Sequence, residues 1–159
     1  MPEIRLIQPH EYAALERFLY HAVFLPSGVD SVPFDIIYEP HMYIYIKDFG
    51  SEHDVGVVAE LDGELVGAAW TRIIPAYGHM DDETPELAIS VLPEHRGGGI
   101  GSAMLTELFS QLRTRGCRRT SLSVQKANSA ERLYRRMGYV VVDERESDYL
   151  MCKELEGLS

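Results

Sequence analysis

The chain has 159 residues, 45% of them hydrophobic and 25% charged, with a formal net charge of −10. That length suits one domain, residues 1–159, with a sizeable core, and the composition is that of an ordinary globular protein. The negative charge argues against a nucleic-acid binder held by phosphate contacts. No apolar run approaches the roughly 18 residues that span a bilayer, and Met1-Pro2-Glu3-Ile4-Arg5 lacks the basic-then-apolar pattern of a secretory signal.

Along the chain, Glu3 to Ile7 reads as a short strand. Pro9 suits the first turn of a helix, and Tyr12, Leu15, Phe18, Leu19 and Ala22 repeat at helical spacing. Pro26, Gly28 and Pro33 break the pattern, and residues 34–47, rich in Tyr, Ile and Met, predict a second helix interrupted near Pro40. Val55 to Leu61 and Leu65 to Ile74 are strand-like, with Asp62-Gly63 between them as a short-hairpin signal. Glu86 to Leu92 is a further strand, ended by Pro93. Apolar residues at 100, 104, 105, 108, 109 and 112 mark one face of a helix that Gly116 stops. Arg118 to Val124 is a strand, and Asn128 with Glu131 predicts a capping box for a short helix closed by Gly138. Tyr139 to Asp143 and Tyr149 to Glu154 complete a hairpin. The order β α α β β β α β α β β predicts an α/β fold: a mixed, mostly antiparallel sheet with helices on both faces.

Cys117 and Cys152 have no CxxC neighbour and no metal-type His spacing, and the six histidines are scattered singly. Reduced thiols in a cytoplasmic protein without a metal are the expectation. The charge is uneven. Residues 93–139 hold nine basic and three acidic side chains, a balance of +6, and the remainder holds six and twenty-two, a balance of −16. A basic segment in an acidic protein points to an anionic ligand and a cationic one.

The stretch His95-Arg-Gly-Gly-Gly-Ile-Gly-Ser-Ala-Met-Leu105 needs a reason, because each glycine costs a helix about 1 kcal/mol relative to alanine. Strand, glycine-rich turn and helix together hold phosphate: the helix N-terminus offers free N–H groups and partial positive charge, and glycine lets backbone approach the ligand. The P-loop pattern is absent. So is G-x-G-x-x-G, whose third glycine would fall on Ser102 or Met104. Arg96-x-x-Gly99-x-Gly101 does fit.

That pattern, set in Val91 to Leu105, resembles motif A of the GNAT superfamily of N-acetyltransferases, and Asn128 to Tyr139 is similar to the family's following segment. The resemblance implies that acetyl-CoA is co-substrate. The amides of Arg96, Gly97, Gly98, Gly99, Ile100, Gly101 and Ser102 would hold its pyrophosphate, and the strand edge at Ile89, Ser90 and Val91 would pair with the pantetheine arm. Asn128 would touch the same ligand, and Arg132, Arg135 and Arg136 would lie near its 3′-phosphate. It implies transfer of an acyl group to a primary amine by direct attack, with Tyr134 as general acid, a backbone N–H near Val91 or Leu92 facing the oxyanion, and Glu86 as base. His79, Asp82 and Glu83 are second choices for the base, because where several relatives carry a strand glutamate this chain has Ser121 and Ser123. An acyl-CoA sensor without efficient transfer is the alternative. The acceptor is expected to be a small-molecule or peptide amine. Nucleic acid and membrane are not expected partners, and the state is monomer or homodimer. Tyr38, Met42, Tyr43 and Tyr45 are candidates to line the acceptor site or to lie in the core, with the core the favoured place.

Overall fold

The computed structural model describes residues 1–155; the last four residues of the chain lie outside the described part. Seven strands form one sheet in the order β1-β2-β3-β4-β5-β7-β6. They are β1 Glu3–Leu6, β2 Val55–Leu61, β3 Glu64–Arg72, β4 Glu86–Val91, β5 Arg119–Gln125, β6 Val140–Glu144 and β7 Asp148–Glu154. Every neighbouring pair is antiparallel except β4 with β5, which is parallel. This is the mixed, mostly antiparallel α/β sheet that the element order predicts.

The helices lie on both faces. On one, α3 (Ile100–Thr114) buries Met104, Leu105, Leu108 and Leu112 completely against Val57, Ala59, Ala69 and Leu122 of the sheet. The apolar residues of α3 recur at three- and four-residue steps, which places them on one side of the helix. The short α4 (Glu131–Arg136) adds Leu133 and Tyr134 to the same core. On the other face, α1 (Leu15–Ala22) packs Leu15, Phe18 and Leu19 with Ile37, Val58, Ala68 and Trp70.

Three local expectations change. Residues 34–47 do not form one broken helix. A 3-10 turn at Phe34–Tyr38 is followed by the single-turn α2, Pro40–Tyr43. Glu39 is extended, at φ −60° and ψ 136°, as a residue before proline prefers, and that conformation separates the two turns. The capping box is also absent. The Asn128 carboxamide oxygen accepts from the Ala130 N–H at 2.9 Å, one residue before the Glu131 N–H that the box requires, and the Glu131 carboxylate turns forward to Arg135 instead. Strand β3 stops at Arg72 rather than at Ile74. The Asp62-Gly63 hairpin forms as expected, with φ of +53° and +82°, the signs a type I′ turn requires.

Two side chains of β3 tie the irregular segment before β2 to the sheet. Trp70 is buried, and its Nε1 donates to the Tyr45 carbonyl at 2.9 Å. Arg72 is 8% exposed. Its Nε and Nη2 each reach the Asp54 carboxylate at 3.1 Å, while Nη1 donates to the carbonyls of Ile44 at 3.0 Å and Lys47 at 2.7 Å. Removing one partner of a buried ion pair leaves the other charge without its counter-ion, at a cost of about 3 kcal/mol. Arg72→Ala should therefore lower the unfolding free energy in urea by about that amount. A loss under about 1 kcal/mol would show that this pair does not anchor the segment.

Candidate active site

The sheet opens between β4 and β5. Their register contains a single residue pair, Glu86 with Ser121, supported by the Ser121 N–H to Pro85 carbonyl bond of 3.1 Å. Strand alternation then fixes which backbone groups face the opening. The Leu92 N–H donates to Val66 of the β3 side at 2.9 Å, so Ser90, two residues earlier, also points its backbone at β3. Ile89 and Val91, of opposite parity, point theirs at the gap. Of the two amides expected near the oxyanion, Leu92 is thus spent on the ladder, and Val91 is the one turned to the opening. Ser90 offers its side chain: its Oγ is buried and has no hydrogen-bond partner among the described residues.

At the end of β4 the chain turns through Pro93–His95 into the glycines. Gly97 and Gly99 take φ of +83° and +87°, the left-handed region in which a side chain is strained. This turn delivers the N-terminus of α3 beside the end of β4. Gly99 is the N-cap, and no side chain caps the helix. The first internal bond is Ala103 N–H to the Gly99 carbonyl, at 3.1 Å, so the amides of Ile100, Gly101 and Ser102 have no intrahelical acceptor. They line a cavity of about 900 Å³ with Ile89, Ser90, Val91, Arg96, Gly97, Gly99, Asn128, Tyr134 and Arg136. Gly98 belongs to the turn without lining the cavity. Arg96 lines it, but its guanidinium is engaged: Nε donates to the Val91 carbonyl at 2.8 Å and Nη2 to the His21 carbonyl at 3.2 Å. It fastens the turn to the end of α1 as well as adding charge. Of the three arginines of α4, Arg136 lines the cavity, while Arg135 pairs with Glu131 and stands over the Tyr149 ring at 5.9 Å.

A second cavity, of about 570 Å³, lies on the other side of the opening. The two share Ala22, Val23, Phe24, Ile89, Asn128 and Tyr134. Tyr134 packs partly buried against the α3 core, and desolvation pushes its hydroxyl up to about 12, so it stays protonated near neutrality. Met42 and Tyr45 line the second cavity rather than acting only as core, and Tyr38 is exposed.

Glu86 lies beneath this second cavity without lining it. It is 2% exposed. Its Oε2 accepts from the Tyr45 hydroxyl at 2.6 Å and from the Gly78 N–H at 2.7 Å, while Oε1 is buried without a partner among the described residues. Gly78 has to be glycine because a Cβ there would stand 3.0 Å from the Leu122 backbone. Burial raises the Glu86 carboxyl above the ordinary value of 4.5, although both hydrogen bonds act against it. Of the second choices, His79 Nδ1 is 3.1 Å from the Ile74 carbonyl, and Asp82 has its side chain 98% exposed. Neither lines either of these two cavities, and nor does Glu83.

One lining residue carries no local signal in the sequence. Asp148 meets Ser123 across the β5–β7 pair, with Ser123 Oγ donating to Asp148 Oδ2 at 2.8 Å, a contact that no spacing within either strand reveals. Among the described residues no group of three or more His, Cys, Asp or Glu side chains is placed to hold a metal ion, and no helix is long and apolar enough to cross a membrane.

Comparison with known proteins bears on the family and the fold. The family model described as Acetyltransferase (GNAT) family matches residues 25–139. The [ribosomal protein bS18]-alanine N-acetyltransferase of Haemophilus influenzae is 37% identical over 131 residues, covering 77% of this chain and 86% of the relative. In fold, the chain is similar to the PaiA N-acetyltransferase of Thermoplasma acidophilum, solved with coenzyme A. The TM-score is 0.69 at 20% identity, over 97% of this chain and 99% of that one. It is similar as well to the ribosomal-protein-alanine N-acetyltransferase of Brucella melitensis, with a TM-score of 0.68 at 24% identity over 96% and 99% of the two chains. The chain belongs to the GNAT family of N-acetyltransferases, whose co-substrate is acetyl-CoA.

Proposed function

We propose that the protein transfers the acetyl group of acetyl-CoA directly to a primary amine of a small molecule or peptide, with the coenzyme in the first cavity and the acceptor in the second. One observation carries this reading: the two cavities meet at Tyr134 and Ile89, beside the β4 edge whose amides face the opening. The residues present suit the coenzyme. The free amides of α3 and the left-handed glycines suit its pyrophosphate, and the β4 edge suits an extended amide-bearing arm. The buried, unpartnered Ser90 Oγ is a polar atom that such a ligand would satisfy. When bound, acetyl-CoA supplies an activated acyl carbonyl.

The chain's own groups then have three tasks. The Val91 N–H, turned to the opening, would donate to that carbonyl oxygen as negative charge builds on it. Tyr134 donates a hydrogen bond toward the departing sulfur. A hydroxyl held up to about 12 stays protonated beside a thiolate with an ordinary pKa of about 8.5, so Tyr134 stabilises the leaving sulfur as a hydrogen-bond donor. Glu86 is the proton acceptor, reached through Tyr45. The Tyr45 hydroxyl passes its proton to Glu86 Oε2 and takes one from the amine, and the 2.6 Å hydrogen bond supports that route.

Turnover tests the reading. The protein with acetyl-CoA and a panel of amines should release CoA thiol, and Tyr134→Phe should lower kcat about a hundredfold while leaving the calorimetric affinity for acetyl-CoA within about twofold. Binding without release from any amine would contradict transfer and favour a sensor.

Glu86 provides a separate check. Its folded-state pKa is raised, so the folded protein binds that proton more tightly than the unfolded chain does. Stability is therefore lost as pH rises through the raised value. Glu86→Gln should melt above the parent at mildly alkaline pH, and the difference should close as pH falls toward 4.5. The opposite trend would contradict the desolvated carboxyl.

A further inference from the structure

The second cavity contains one acidic side chain among the described residues that line it, Asp148. Asp148 opens β7 opposite Gln125, and its side chain is 18% exposed. Both of its hydrogen bonds fall on Oδ2, from Ser123 Oγ at 2.8 Å and from Arg145 Nη1 at 3.0 Å. Arg145 lines the cavity as well, so Asp148 has one cation beside it. Its Nη1 also donates to the Tyr77 carbonyl at 2.8 Å, and its Nε lies 3.8 Å from the exposed Asp143 carboxylate. The guanidinium is thus shared, and neither hydrogen bond to Asp148 falls on Oδ1.

Its location gives this charge a purpose. Tyr134 and Ile89 line both cavities, whereas Asp148, Tyr77 and His41 line only the second. The carboxylate therefore belongs to the part of the second cavity that the first does not share. The lining there is mixed, with Met42 beside Tyr45, Ser123 and Gln125. An acceptor that reaches both Tyr134 and Asp148 needs an amine for the one and a group that a fixed carboxylate attracts for the other.

We propose that Asp148, positioned by Ser123 and Arg145, is a specificity residue that binds a second cationic group of the acceptor, so that the preferred substrates are dicationic amines. This rests on the acceptor occupying the second cavity, as proposed above. The Tyr77 and His41 rings, in edge-to-face contact at 6.1 Å, belong to the same part of the cavity and offer a cation further favourable surface.

A binding experiment separates this proposal from the transfer reaction. The protein loaded with CoA is titrated with 1,4-diaminobutane and with 1-aminobutane, observed by ligand NMR. The diamine should bind about tenfold more tightly, and Asp148→Asn should equalise the two while CoA affinity is unchanged. Ser123→Ala, which keeps the charge, should retain most of the preference. A parent protein that does not distinguish the two amines overturns the proposal without need of any variant, as does a preference that survives in Asp148→Asn. A preference abolished as fully by Ser123→Ala as by Asp148→Asn overturns it too, because the carboxylate would then matter only as a strand clamp. Failure of the transfer reading shows independently, as diamine binding without release of CoA thiol from acetyl-CoA.

Discussion

Strands β4 and β5 hold one residue pair and then part, and the rest of the site depends on that separation. A strand edge inside a sheet normally has a neighbour, because backbone N–H and C=O groups carry a penalty when left without partners. Here Ile89 and Val91 turn theirs toward an opening flanked by two cavities. An extended chain of amides from a ligand can occupy the place of the missing strand. The same separation leaves room at the end of β4 for the glycine turn, which sets the uncapped N-terminus of α3 beside the edge. Under the proposed function, edge and helix end present successive sets of free N–H groups to the coenzyme: first neutral amides, then amides reinforced by the helix dipole.

A split sheet needs support from outside the ladder. One core, under α3, fills the face beneath β2 to β5, and Tyr139 and Met151 extend it to the β6–β7 side. The other core joins α1 to β2, β3 and the segment before β2, with Trp70 and Arg72 as the ties. Beyond the hydrogen bonds around Pro85 and Ser121, the two halves of the sheet are therefore held by the core under α3. This is consistent with a site that must admit a ligand between them without loss of the fold. Arg96 belongs to the same support, since it joins the β4 carbonyl at Val91 to the end of α1.

Much of this was legible in the order of residues. Strand, glycine turn and amphipathic helix are local features, and Gly97 and Gly99 adopt the left-handed conformation that their clustering implies. The places where reading along the chain fell short are places where partners lie far apart. Ser123 and Asp148 meet because β7 pairs with β5 although β6 lies between them in the chain. Tyr45 reaches Glu86 across 41 positions, and only the packing of the pre-β2 segment brings them together. The capping box failed for a smaller reason. Asn128 had the right spacing, but its side chain found the Ala130 amide first, and Glu131 found a guanidinium.

Amide hydrogen exchange, read residue by residue by NMR, tests the opening as the coenzyme slot most directly. In the free protein the amides of Ile89 and Val91 should exchange quickly and those of Ala88 and Ser90, on the β3 ladder, slowly. Saturation with acetyl-CoA should protect Ile89 and Val91 together with the first amides of α3, and leave Ala88 and Ser90 unchanged. If acetyl-CoA binds and Ile89 and Val91 remain as exposed as before, the ligand does not lie along β4, and the central role given to the parted strands is wrong.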